Sequence, residues 1–136
     1  MILTLMQGKI HRARVTKTLL HYEGSIGIDA ALLEGAGILP YQQVDVYDIQ
    51  NGARFQTYAI VMPHGSGEIT VNGAAARLVM PGDQLIIVAF AQMEAVQAKD
   101  YQPKVVCVDD NNRAIESTRS STVDRSRGRS RTGLNV

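Results

Sequence analysis

A mainly β fold, a small closed barrel with short helices, is what this sequence predicts, and three observations carry it. Apolar residues recur at strand spacing through most of residues 2–108, and period-two alternation marks half-buried strands. Asn-Gly and Pro-Gly turn signals separate these runs, as strand connections require. Helical patterning is confined to one short stretch after Asp29. Many short strands with few helical residues favour a sheet closed on itself, which removes exposed edges.

Residues 2–6 and 10–16 read as a strand or a bent pair, with Lys9 and His11 set on one face by alternation. Asp29 is expected to N-cap a helix over 30–34, ended by Gly35 and Gly37. Residues 44–49 and 55–61 flank Asn51-Gly52, and residues 69–71 and 76–79 flank Asn72-Gly73; both pairs read as hairpins. Gly65-Ser66, within His64-Gly65-Ser66-Gly67, reads as a flexible turn between strands. Residues 84–91, nearly all apolar after Pro81-Gly82, suit a strand covered on both sides. Residues 104–108 add another, closed by Asp109-Asp110-Asn111-Asn112. Val105, Val106 and Val108 make Cys107 a buried strand residue rather than a catalytic thiol.

At 136 residues the chain suits one domain, with a small core that association would extend. The formal net charge of +1 conceals an asymmetry. Residues 1–112 hold 8 Lys or Arg against 11 Asp or Glu, and residues 113–136 hold 6 against 2. The expected organisation is a folded domain over 1–112 and a disordered basic tail over 113–136. That tail has no aromatic residue on which bases would stack, so nucleic-acid binding is not expected beyond non-specific phosphate contact. A single cysteine excludes an internal disulfide and suits a reducing compartment. No signal pattern and no membrane-length apolar run is present, so a cytoplasmic protein without membrane contact is expected. His11, His21 and His64 have no metal-ligand spacing, and no metal is expected.

One motif carries chemistry. In His21-Tyr22-Glu23-Gly24-Ser25, the serine hydroxyl can attack the carbonyl of Gly24 and convert the amide to an ester; elimination and hydrolysis then leave a keto acid at the new N-terminus. Glycine is suited to the first position because it leaves its carbonyl unshielded and adopts angles closed to other residues. The dipeptide alone is weak evidence, since Gly65-Ser66 repeats it.

Further blocks give the motif its context. Gly8-Lys9-Ile10-His11-Arg12, Leu20 through Ser25, Asn51-Gly52-Ala53-Arg54, Thr57-Tyr58-Ala59-Ile60, Val71 through Ala76 and Pro81-Gly82-Asp83 together resemble pyruvoyl-dependent aspartate 1-decarboxylase, in order and spacing, over about residues 1–110. The resemblance implies a double-psi β-barrel, cut between Gly24 and Ser25 into pieces 1–24 and 25–136. It implies a covalent pyruvoyl group made from Ser25, without pyridoxal phosphate. The implied reaction is conversion of L-aspartate to β-alanine and CO2 through a Schiff base, supplying pantothenate and coenzyme A. It further implies a homotetramer of processed subunits with active sites between neighbours, and a maturation factor is a partner the sequence leaves open.

Arg54 and Tyr58, four apart in a predicted strand, share a face. By resemblance Tyr58 donates the proton; Lys9 and Arg54 then supply positive charge and are expected to hold chiefly the carboxylate that stays in the product. A tight grip on the departing carboxylate would stabilise the ground state and slow the step. Resemblance also assigns substrate contacts to Thr57, Gly73, Ala74 and Ala75, and supporting places to His11, His21, Tyr22 and Asn72. Strict alternation puts Thr57 opposite Arg54 and Tyr58, which a bulge or a site shared between subunits would reconcile. Tyr47 stands where family members often carry another large aromatic residue and is read as packing. The competing reading is an uncleaved barrel serving as a binding or assembly module, its tail touching nucleic acid.

Overall fold

The computed structural model describes residues 1–115. In chain order the elements are β1 (Ile2–Arg14), β2 (Lys17–Leu19), β3 (Ser25–Asp29), α1 (Ala30–Ala36), β4 (Gln43–Asp48) and β5 (Arg54–Met62). There follow β6 (Ile69–Asn72), a 3-10 helix (Gly73–Arg77), β7 (Gln84–Glu94), α2 (Ala95–Ala98), β8 (Lys104–Val108) and β9 (Ala114–Ile115). The strands form one sheet in the order β2-β6-β3-β5-β4-β7-β1-β8-β9. Its pairing is mixed: β1 with β8, β2 with β6 and β3 with β5 are parallel, the others antiparallel.

Backbone continuity closes this sheet. Near one end of the order β1 runs through Val15 and Thr16 into β2 at the other end, and Thr16 N donates to Ile69 O at 2.8 Å beside β6. Buried Asn112 latches the seam: it accepts from Arg14 N at 2.7 Å and donates through Nδ2 to Arg14 O and Gly67 O, each at 2.8 Å. The expected barrel is therefore present. Alternation points Ile10, Ile26, Ile28, Val44, Val46, Ala59, Val71, Leu85 and Ile87 into one core, where each large aliphatic chain contributes about 1.5–3 kcal/mol.

Several expected elements differ. The 76–79 strand is absent; Asn72 stays extended at φ −111 and Gly73–Arg77 coils into a 3-10 helix, so Asn72-Gly73 is not a hairpin turn. A type I′ turn needs both central residues at positive φ, and the alanines that follow favour a helical turn. Helix α1 runs to Ala36 and passes through Gly35, with Gly37 at φ 70 as its cap. Gly35 is there for packing, since a Cβ would meet Val106 Cγ2 at 2.8 Å. Residues 2–14 form one long strand with register shifts between Met6 and Gly8 and between His11 and Ala13. Cys107 occupies a strand as expected but is half-buried rather than buried. β9 extends the sheet past residue 112, and residues 116–136, the rest of the expected tail, lie outside the described residues.

Two buried carboxylates brace the loops. Asp29 caps α1 through Ala31 N and also accepts from Gly65 N and Gly67 N, all at 2.8 Å. Burial raises its pKa, but those three N–H groups outweigh that and hold it below the ordinary value. Asp48, 2% exposed, accepts from Gln50 N at 2.8 Å and Asn51 N at 3.3 Å, ordering the turn that leads into Arg54.

Burial, reinforced by the neighbouring Asp83 carboxyl, pushes Asp48 up to about 6 from 3.8. The folded state thus binds more protons than the unfolded state between those values, so stability present at lower pH is lost as pH rises through the window. We expect the melting temperature to fall between pH 4 and pH 7, a loss on the order of 2–3 kcal/mol. Asp48→Asn keeps the acceptor for Gln50 and Asn51 and should flatten that slope; an unchanged slope in thermal melts would assign it to other groups.

Candidate active site

The start of β3 is built around Ser25. Ser25 is 2% exposed although Gly24, immediately before it, is exposed. Ser25 Oγ donates to Glu23 O at 3.1 Å, which turns it back across Gly24, and it accepts from Asn72 Nδ2 at 3.0 Å. Ser25 and Asn72 are cross-strand partners in the β3–β6 ladder. Asn72 Oδ1 is buried without a hydrogen-bond partner among the described residues, a costly state that a donor entering the site would relieve.

The glycine whose conformation matters here is Gly73, not Gly24. Gly24 has a φ outside the left-handed region, and a Cβ on it would meet nothing within 4 Å. A left-handed backbone is therefore not found at Gly24. Gly73 is left-handed at φ 79, and a Cβ there would lie 2.7 Å from Gly24 Cα, 2.9 Å from Gly24 N and 3.1 Å from Tyr22 O. The first turn of the 3-10 helix is thus a backbone wall against the residues preceding Ser25.

The sheet register orders the other candidates. Ile26 pairs with Ala59 in the parallel β3–β5 ladder, so Ser25 and Tyr58 stand side by side one position earlier. Both point away from the core that Ile26 and Ala59 enter. Tyr58 is 36% exposed and shares its face of β5 with exposed Arg54; half-buried Thr57 takes the opposite face, between core-packed Phe55 and Ala59. The strand is regular there, so no bulge brings Thr57 round.

Across the same outer face, cross-strand pairing aligns Arg54, Tyr47, Ile86 and His11 in one row. A second row aligns Gln56, Asp45, Val88 and Lys9. Lys9 and His11 do share a face, as alternation requires, but they lie four strands along from Ser25. At about 4.8 Å per strand that is ~19 Å measured along the sheet. His21 and Tyr22 are exposed in the loop before Ser25, and Ala74 is exposed and Ala75 half-buried in the 3-10 turn. One chain therefore gathers Ser25, Gly24, Tyr22, Asn72, Gly73 and Tyr58, with Arg54 further along β5 and Lys9 and His11 remote.

Tyr47 and Asp45 are the neighbours that sequence reading passed over as packing or not at all. The Arg54 guanidinium lies 3.9 Å from the Tyr47 ring centroid, and Tyr47 Oη donates to Asp45 Oδ2 at 3.4 Å. Burial raises the Tyr47 pKa, Asp45 raises it further, and Arg54 opposes both. Their outward placement was legible, because Val44 and Val46 alternate with them into the core. A cavity of about 240 Å³ bounded by Thr4, Gln42, Asp45, Phe90 and Gln92 lies beside Asp45 rather than at Ser25. Among the described residues no group of three or more His, Cys, Asp or Glu is arranged to hold a metal, and no helix is long and apolar enough to cross a membrane.

The sequence pattern of the family described as aspartate decarboxylase matches residues 1–115. The aspartate 1-decarboxylase of Maricaulis maris is 56% identical over 115 residues, covering 85% of this chain and 95% of that protein. The aspartate 1-decarboxylase of Leptospira biflexa is 57% identical over 114 residues, covering 83% and 97% respectively. Among solved structures, the rationally designed mkDPBB_sym_86 protein is similar at 15% identity and a TM-score of 0.43, covering 58% of this chain and 91% of its own.

Proposed function

We propose, from the premise that this chain belongs to the aspartate decarboxylase family, that it cuts itself between Gly24 and Ser25 and then converts L-aspartate to β-alanine and CO2. The observation that carries this reading is the buried Ser25 hydroxyl, held between Glu23 O and Asn72 Nδ2 directly after an exposed glycine. Attack of Oγ on the Gly24 carbonyl carbon breaks the C–N bond and forms an ester. Loss of the Ser25 α-proton expels the Gly24 carboxylate, and water releases the nitrogen as ammonia. What remains at residue 25 is a pyruvoyl group.

The surroundings fit that group. Asn72 Nδ2 already donates toward the Ser25 side chain and suits a carbonyl acceptor equally. A pyruvoyl group at residue 25 would supply an electrophilic carbonyl for the substrate amine and a sink for the electrons left by loss of CO2. Tyr58 Oη is the proton source for the α-carbon, a role its place beside Ser25 supports. Arg54 holds the carboxylate that remains in the product, with Lys9 adding charge. Gly73, Ala74 and Ala75 complete the substrate contacts, with His11, His21 and Tyr22 lining the site, whereas Thr57, on the opposite face of β5 from Tyr58, is given no substrate contact.

Active sites shared between subunits of a homotetramer account for the span between Ser25 and Lys9 along one chain. A cytoplasmic role in supplying pantothenate and coenzyme A follows from the same reading.

Intact-mass measurement tests it. The reading requires pieces 1–24 and 25–136, the larger beginning with a residue that gives a ketone signature, and CO2 release from aspartate. A chain that stays whole and inert toward aspartate would favour a binding module instead. A second measurement concerns Arg54. A charge-assisted contact to a carboxylate contributes about 1.5–3 kcal/mol, so Arg54→Ala should raise KM for aspartate about 10- to 100-fold while cleavage proceeds. An unchanged KM would remove Arg54 from the substrate site.

A further inference from the structure

Arg54 is poorly held for a residue asked to grip a substrate. It is exposed at the first position of β5, and among the described residues it makes no salt bridge. A free arginine side chain samples many rotamers, and freezing it on a ligand costs about 2 kcal/mol of conformational entropy. Something must hold it beforehand if the site is to be preorganised.

The Tyr47 ring fills that role. Tyr47 and Arg54 are directly paired across β4 and β5, and the guanidinium carbon lies 3.9 Å from the ring centroid. Stacking of this kind orients the planar guanidinium while leaving its N–H edge open to a carboxylate. The ring is fixed in turn: half-buried, it is followed by core-facing Asp48 and its hydroxyl donates to Asp45, two residues back on the same face.

We propose that Tyr47 is a positioning residue: its ring holds the Arg54 guanidinium in the orientation that receives the side-chain carboxylate of a dicarboxylate ligand. This rests on the decarboxylase reading for the identity of the substrate, but not for the contact itself. The aromatic face does the holding, and Asp45 only steadies the ring. Phenylalanine or tryptophan at 47 should therefore serve, and an aliphatic residue should not.

The test uses full-length Tyr47→Leu, Tyr47→Phe and Tyr47→Trp with two readouts. In kinetics, Tyr47→Leu should raise KM for aspartate about five- to tenfold, the range expected for a cation–π contact. Its kcat should stay within about twofold, its cleavage should match the parent by mass, and Phe and Trp should restore KM. In calorimetry, succinate binding should weaken by the same factor in Tyr47→Leu alone. The proposal is overturned if Tyr47→Leu binds succinate like the parent, if Phe and Trp fail to rescue, or if the parent binds no succinate. A parent that binds succinate yet leaves aspartate intact overturns the decarboxylase reading alone, and the calorimetric series still decides the role of Tyr47.

Discussion

Ser25→Ala is expected to leave all 136 residues in one piece and to reduce aspartate turnover to background. The hydroxyl is the only group in the motif able to turn the Gly24–Ser25 amide into an ester, and the electrophile that follows is made from the same residue. The expected fall in kcat is at least ~10⁶-fold, the lower end of what enzymes supply over the uncatalysed reaction. Folding should survive, because the change removes one oxygen from the start of a strand whose backbone pairing with β5 and β6 is untouched. Asn72 Nδ2 loses its acceptor, at about 1–3 kcal/mol. Intact mass, circular dichroism and CO2 release read the three parts separately. Turnover by an uncut, well-folded Ser25→Ala chain would sink the mechanism.

Gly73→Ala should have the next largest effect, and it falls on processing. The added Cβ would lie 2.7 Å from Gly24 Cα and 2.9 Å from Gly24 N, and all its near neighbours are backbone atoms with no rotamer to move aside. The φ of 79 adds about 1–2 kcal/mol for a residue with a side chain. The Tyr22–Gly24 segment must shift, and a misplacement near 1 Å costs about 10²-fold in rate. Cleavage followed by mass over time should slow by at least that factor. Gly24→Ala is the folding control, since its Cβ meets nothing within 4 Å; it should melt like the parent. Cleavage of Gly73→Ala at the parental rate would show that the wall does not shape the scissile segment.

The barrel was legible because alternation marks strands that bury one face: Val44 and Val46 inward with Asp45 and Tyr47 outward, and likewise Ile10 between Lys9 and His11. β3 was not, because all five of its residues are buried and a run without alternation gives no period to read. Its Gly27 looks like a breaker but is a packing device, with Met62 Sδ 2.7 Å from where a Cβ would sit. Gly35 misled in the same way. Of the candidate site, the Ser25–Asn72 contact spans 47 positions and Tyr58 reaches Ser25 only through β3–β5 pairing, so both depend on a topology that no local pattern contains. The same holds for Gly73, because the Tyr22–Gly24 loop it presses on lies about 50 positions away in sequence.

The proposed cut falls between β2 and β3, and its smaller product contains all of β1. That strand is zipped to β7 from Ile2 through Arg14 and lies against β8 on its other edge, while Lys17–Leu19 pair with β6. Severing one peptide bond therefore does not set a peptide adrift. The matured molecule would migrate as a single particle in native gel filtration and separate only under denaturant, and residues 1–24 and 25–136 made as separate polypeptides should reassemble into the same barrel, with an unconverted Ser25.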